Sequence, residues 1–372
     1  MRRHRRCLGV ALGLAVSAVL WGIALPAAAQ TGPSSSQSPY IVPLAAGVEV
    51  RSILTVGDWV NRKPDGMPYR MVGIPDGLGV FDNGDGTFTV LMNHELPGNR
   101  GLTRAHGAPG AFVSRWVIRK SDLAVLHGED LIRQVVTWDP QTASWNLPSR
   151  GVAFSRFCSA DLPPLTAFYD PVTGLGYWGR LFMNGEEAGA EGRAFAHTLE
   201  GISYELPWLG KLSFENVVAH PAAGARTIVV GVDDSPGGQV YVYVGEKRAS
   251  GNPVEKAGLV GGVLYGVKIE GVTHETDGLQ LARGTRFTLQ RLGDVSTWTG
   301  AQLEEESRRA GVTAFQRPED GAWDPNRPND FYFVTTASFN NKSRLWRLRF
   351  DDIRRPELGG TVELLLAGDE GP

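Results

Sequence analysis

The residues best placed to do chemistry are acids that follow apolar runs. Val90-Leu91-Met92 leads into Asn93-His94-Glu95, and Arg180-Leu181-Phe182-Met183 into Asn184-Gly185-Glu186-Glu187. Leu212-Ser213-Phe214 delivers Glu215, the run from Thr227 to Val232 delivers Asp233-Asp234, and Phe315-Gln316 precedes Arg317-Pro318-Glu319-Asp320. An acid where a buried strand emerges costs free energy unless it is paired or holds a cation. Grouped carboxylates are hard oxygen ligands of the kind calcium takes. Cys158 adds a donor of another type, since a thiolate favours a transition metal. The plainer readings are acids on outer turns and a cysteine buried as a small apolar residue. His94, beside Glu95, is the histidine expected near such a site, supporting the ligands from behind. No H-E-x-x-H spacing points to zinc, and the absence of a G-x-S-x-G elbow or a G-x-x-x-x-G-K-[ST] loop disfavours serine-hydrolase and nucleotide-loop chemistry.

The elements that must carry these acids read as short strands broken by Gly, Asn, Asp and Pro. Gly79-Val80-Phe81 and the run from Thr87 to Met92 flank Asp82-Asn83-Gly84-Asp85-Gly86, a hairpin pattern. Further strands are expected at 112–119, 180–184, 227–232, 239–245, 263–269, 331–335, 344–350 and 361–366. One short helix is expected near 299–310, opened by a Thr299–Gln302 capping box and closed by Gly311. With 47 glycines and little helix, the pattern predicts an all-β sandwich, barrel or propeller. Glu95, Glu187, Asp234 and Glu319 are separated by 92, 47 and 85 residues. These are near two, one and two lengths of a propeller blade of roughly 40 to 50 residues. A propeller would bring equivalent strand ends together at its central channel.

The 372 residues contain 37 basic and 40 acidic side chains. Residues 1–29 combine Arg2, Arg3, Arg5 and Arg6 with an apolar run from Leu8 to Leu25 and the small residues Ala27-Ala28-Ala29. This is expected to be a cleaved signal peptide, and Arg5-Arg6 points to twin-arginine export. Removing those four arginines leaves 33 basic groups against 40 acids, a net charge of −7. No basic block remains to bind nucleic acid or an anionic membrane. Cys7 leaves with the leader, so Cys158 stands alone in an exported chain and has no intramolecular disulfide partner. Residues 30–39 read as a flexible linker and 40–372 as a single domain.

Taken in order, Asn93-His94-Glu95, Cys158, Glu186-Glu187, Phe214-Glu215, Asp233-Asp234 and Arg317-Pro318-Glu319 resemble the motifs of PhoX-type alkaline phosphatases. The resemblance runs from about Pro75 to the C-terminus. It implies a six-bladed β-propeller holding Ca2+ and Fe3+ in its channel, acting on phosphate monoesters in the periplasm or outside the cell. Carried over, Cys158 would ligate iron. Glu95, Glu186, Glu187, Glu215, Asp233, Asp234 and Glu319 would be carboxylate ligands, and Arg317 would hold the phosphate. A multi-metal site neutralises phosphoryl oxygens and activates water, so no side-chain nucleophile is required. The chain departs from the family at Gly185, where relatives carry a second cysteine before the Glu pair. It also stops soon after the 361–366 strand, which predicts an incomplete last blade. The expected partner is a small phosphate ester, the expected state a monomer without stable membrane association. The competing readings are a calcium-stabilised propeller that only binds, and a calcium-dependent propeller lactonase or other hydrolase.

Overall fold

The computed structural model describes residues 28–62, 65–338 and 340–368. Strands dominate, and they follow the expected pattern closely. Phe112–Arg119, Val263–Ile269 and Arg344–Phe350 fall where the sequence placed them, and Pro75–Asp82 and Thr87–His94 form the expected hairpin. The helix is Gly300–Ala310, with both capping-box bonds between Thr299 and Gln302 made and Gly311 closing it at φ 70°.

Among the described residues, four antiparallel four-stranded units follow one another, against the six that the resemblance implies. The first is Pro75–Asp82, Thr87–His94, Phe112–Arg119 and Val125–Asp130. The second is Phe157–Asp161, Leu181–Glu186, Ala194–Thr198 and Ile202–Glu205, with Gln134–Val136 added in parallel at its edge. The third is Phe214–Ala219, Arg226–Asp233, Val240–Glu246 and Val263–Ile269. The fourth is Pro318–Trp323, Asp330–Thr335, Arg344–Phe350 and Gly360–Leu366. Arg286–Gly293 pairs with Val263–Ile269 on one side and Gly360–Leu366 on the other, joining the last two units into one nine-stranded sheet.

The first strands of the four units lie side by side and in chain order. A Cβ at Gly77 would come within 2.3 Å of the Ala160 nitrogen, so the first two approach backbone to backbone. The Ala219 amide donates to Asp161 at 2.8 Å, and the Asn216 amide group to Asp320 at 2.5 Å, tying the second to the third and the third to the fourth. The sheets of the second and third units are covered on both faces, which explains their apolar runs, whereas the strands of the fourth alternate buried and part-exposed residues. Leu181 and Met183 enter the core between the second and third units, while Phe182 points into the core between the first and second. Val229 faces the second unit, and Ile228, Val230 and Val232 face the fourth. This radial stacking around adjacent inner strands is a β-propeller arrangement.

The acid spacing has a different origin from the one expected. Glu95 and Glu187 belong to consecutive units, not to units two apart, because a long connection separates Val125–Asp130 from Phe157–Asp161. The same holds for Asp234 and Glu319, between which lie Arg286–Gly293 and the helix. The expected leader lies almost entirely in residues 1–27, outside the described residues. Ala28–Thr31 pairs in parallel with Glu49–Ser52. In the segment expected as a linker, the Ser34 hydroxyl accepts from the Val125 amide at 3.0 Å, and the Ser36 amide donates to Asp58 at 3.1 Å.

Candidate metal centre

One local geometry is repeated in all four units, and it builds the site. The first residue of each inner strand pairs with the last residue of the next strand: Pro75 with His94, Phe157 with Glu186, Phe214 with Asp233 and Pro318 with Thr335. Immediately after that pair the register shifts in every unit. A bulge re-aims the side chain it contains. The residues placed there are Asp76, Cys158, Glu215 and Glu319. The residue just past the second strand is then fixed by one recurring backbone bond. The amides of Glu95, Glu187, Asp234 and Thr336 donate to the carbonyls of Ile74, Arg156, Ser213 and Arg317 at 2.8, 2.9, 2.8 and 3.1 Å. Three units therefore contribute two potential ligands each, and the fourth contributes Glu319 and a threonine hydroxyl.

These side chains converge. Ligand atoms of Asp76, Glu95 and Cys158 lie within 4.8 Å of one another, as do those of Cys158, Glu187 and Glu215, and those of Glu215, Asp234 and Glu319. The Cys158 Sγ is 3.2 Å from Glu215 Oε1 and 3.7 Å from Asp76 Oδ2. Ser159 Oγ donates to Glu215 at 2.8 Å, and the Thr336 hydroxyl to Glu319 at 2.6 Å. Behind the cysteine, Asn93 donates to the Cys158 carbonyl at 2.6 Å and accepts from Asn184, fixing the bulge from within the core.

Two arginines partly offset the negative charge. Arg317 meets both oxygens of Asp234 at 2.7 Å and Glu319 at 2.9 Å. Arg156 pairs with Glu95 at 2.7 Å and with Glu187. The compensation is incomplete. Burial pushes the Glu215 carboxyl up to about 8, with Glu319 and Glu187 adding like charge. Burial also raises Asp76, Glu95 and Glu319, in Glu95 despite Arg156. The Cys158 thiol is driven well above its ordinary value by burial and then by Glu215 and Asp76. Six carboxylates and a thiol crowded against two guanidiniums are a donor set that fits cations: hard oxygens for calcium-like ions and one sulfur for a softer one.

Of the residues named from the sequence, Glu95, Cys158, Glu187, Glu215, Asp234 and Glu319 come together, with Arg317 against two of them. Glu186 and Asp233 do not. Adjacent strand residues point to opposite faces, so only one of each acidic pair can reach the channel. Glu186 is buried against Arg193, with contacts at 2.8 Å from both Nε and Nη2, and accepts from the Ser155 amide. Asp233 accepts from the Ser213 amide and the Ser235 hydroxyl. His94 also turns away: its ring stacks on Phe112 at 4.1 Å, and Nε2 lies 2.8 Å from Ser114 Oγ. Sequence reasoning missed Asp76 and Arg156. Asp76 opens a strand instead of closing an apolar run, and Arg156 carries no pattern of its own. Gly185 is also explained, because a Cβ there would come within 2.3 Å of the Phe214 Cβ. A second cysteine at 185 would displace the aromatic ring that precedes Glu215.

Fold and site thus define an all-β propeller-type protein with an acid-rich, cysteine-containing centre able to hold metal. The family model described as "Alkaline phosphatase PhoX" matches residues 197–359, which include Glu215, Asp234, Arg317 and Glu319, so the resemblance read from the motifs is borne out. Among solved structures, the chain is similar to Pseudomonas fluorescens PhoX in complex with vanadate, a transition-state analogue. The identity is 12% and the TM-score 0.53, over 78% of this chain and 66% of that one. No curated protein matches the chain.

Proposed function

We propose that this protein is a metal-dependent phosphatase that hydrolyses small phosphate monoesters at the carboxylate–cysteine centre. The observation that carries this reading is the convergence of Asp76, Glu95, Cys158, Glu187, Glu215, Asp234 and Glu319, with a bidentate arginine at the rim. Calcium would suit the carboxylate triplet of Glu215, Asp234 and Glu319, and iron the two triplets that share Cys158. When bound, such ions neutralise the phosphoryl oxygens and lower the pKa of water. The chain's own part is positional. The bulges and the four recurring backbone bonds fix the ligand side chains, and Arg317 presents a planar fork of donors suited to phosphate. A cavity of about 460 Å³ opens beside this arginine, lined by Arg317, Glu319, Thr336, Ser338, Asn341 and Ser343. It lies where the fourth unit supplies Thr336 instead of an acid, and gives the ester a polar approach.

Export to the periplasm or beyond, as a monomer without stable membrane or nucleic-acid association, completes the proposal. The likeness to PhoX and the N-terminal sequence support the location. The cysteine inside the cluster disfavours a purely calcium-binding propeller or a calcium lactonase, since neither requires a thiolate. The test is elemental analysis of the purified protein beside a p-nitrophenyl phosphate assay, on wild type and Cys158→Ala. Iron with calcium and phosphate release in the wild type, both lost on substitution, are expected. Calcium without iron, and no release from either protein, would sink the reading.

A further inference from the structure

Arg317 has an internal counterpart. Arg156 stands two residues before Cys158 as Arg317 stands two before Glu319, each on the edge of its inner strand. Both hold the left-handed region, at φ 49° and 59°, which non-glycine residues adopt only where their surroundings dictate it. Both carbonyls accept the recurring amide bond, from Glu187 and from Thr336. Each guanidinium also bridges neighbouring units: Arg156 spans Glu95 of the first and Glu187 of the second, and Arg317 spans Asp234 of the third and Glu319 of the fourth. The equivalent positions in the first and third units are Ile74 and Ser213, so arginine alternates with a neutral residue.

The two arginines sit at the rim. Their side chains are 43% and 33% exposed, whereas the four acids beneath them lie between 4% and 22%. Arg156 also keeps a donor in hand: Nη2 makes both ion pairs, and Nε is buried without a hydrogen-bond partner among the described residues. A buried donor left unpaired calls for an acceptor. We propose that Arg156 is a second anion-contacting residue, holding the phosphoryl group of the substrate together with Arg317. This inference rests on the phosphatase reading and deepens it. The ligand it implies is a tetrahedral oxyanion with enough oxygens to engage two guanidinium forks at once, which a phosphate monoester or vanadate supplies. The competing role is structural, in which Arg156 only offsets Glu95 and Glu187.

Arg156→Lys separates the two, since it keeps the charge and loses the planar fork. In the metal-loaded full chain, calorimetric titration with inorganic phosphate is expected to show affinity about tenfold weaker or more, a factor typical of losing one charge-assisted hydrogen bond. Metal content should match wild type, and the KM for p-nitrophenyl phosphate should rise more than kcat falls. Phosphate affinity within about twofold of wild type would overturn the proposal, as would weakening in step with lost metal. A wild-type crystal soaked with vanadate gives a check that does not depend on the variant's folding. A guanidinium nitrogen of Arg156 within hydrogen-bond distance of the anion is expected, and one beyond about 4 Å would overturn the assignment. If wild type itself neither binds phosphate nor turns over ester, the phosphatase reading fails, and that outcome is distinct from an unchanged Arg156→Lys.

Discussion

Glu187 and Asp234 at the channel mouth differ from Glu186 and Asp233 just behind them by a single position in the chain, yet their surroundings are opposite. Glu187 and Asp234 share the mouth with other carboxylates and a thiol, held apart by arginines that reach in from the rim. Glu186 is enclosed by Arg193 and two backbone amides, a set of donors complete without any ion. Asp233 is buried with a hydroxyl and an amide for company. Residue type and sequence neighbourhood do not separate a candidate ligand from a structural acid here. The strand's two-residue alternation and the bulge beside it do.

That contrast can be broken experimentally, and the largest effect should come from the mouth. Glu187→Gln is expected to lower bound metal and cut p-nitrophenyl phosphate turnover by at least about a hundredfold, since even supporting residues of metal sites cost 10- to 100-fold. Elemental analysis and the assay, run beside Glu186→Gln, check it. Equal losses in both variants would erase the distinction. Glu186→Gln should instead keep its metal and lose stability, because Arg193 is left without its carboxylate. The expected cost is about 3 kcal/mol, at the low end for breaking a buried pair since Arg193 is partly exposed. Urea unfolding of metal-free protein reads it.

Asp233 gives a smaller, pH-dependent signature. Burial raises its carboxyl to about 7, above its unfolded value near 4. Its protonated form is therefore favoured by folding, and the stability this brings is complete below about pH 4 and is lost as pH rises through 7. Asp233→Asn removes this dependence. Between pH 4 and 8 the variant should gain on the order of 1–3 kcal/mol relative to wild type, read as a difference in unfolding midpoints. A constant difference across that range would show that Asp233 does not titrate there.

Much of this arrangement could be read from the chain alone. The hairpin turn at 82–86, the capped helix and the strands at 112–119, 263–269 and 344–350 follow from local signals: glycine at forced turns, a side-chain cap, and short segments rich in β-branched, aromatic and aliphatic residues. The acids that end second strands were found by the same logic, since a charge closing an apolar run marks where a buried strand reaches water. Asp76 escaped because Pro75-Asp76-Gly77 reads as a turn, and its role depends on a pairing with His94 that no local pattern announces. Arg156 escaped because its partners, Glu95 and Glu187, come from two units.

The kinds of element, the capped helix and a surplus of acids at strand ends beside one cysteine are legible in the residue order, because those depend on neighbours a few residues away. The packing of distant strands selects which acid of each pair faces the channel. It also sets the four units of the described residues against one another despite unequal spacing, and makes Asp76 and Arg156 part of the centre. Those outcomes rest on strand register and bulges, set by pairing between distant segments, and a shift of one residue in that pairing would exchange Glu187 for Glu186.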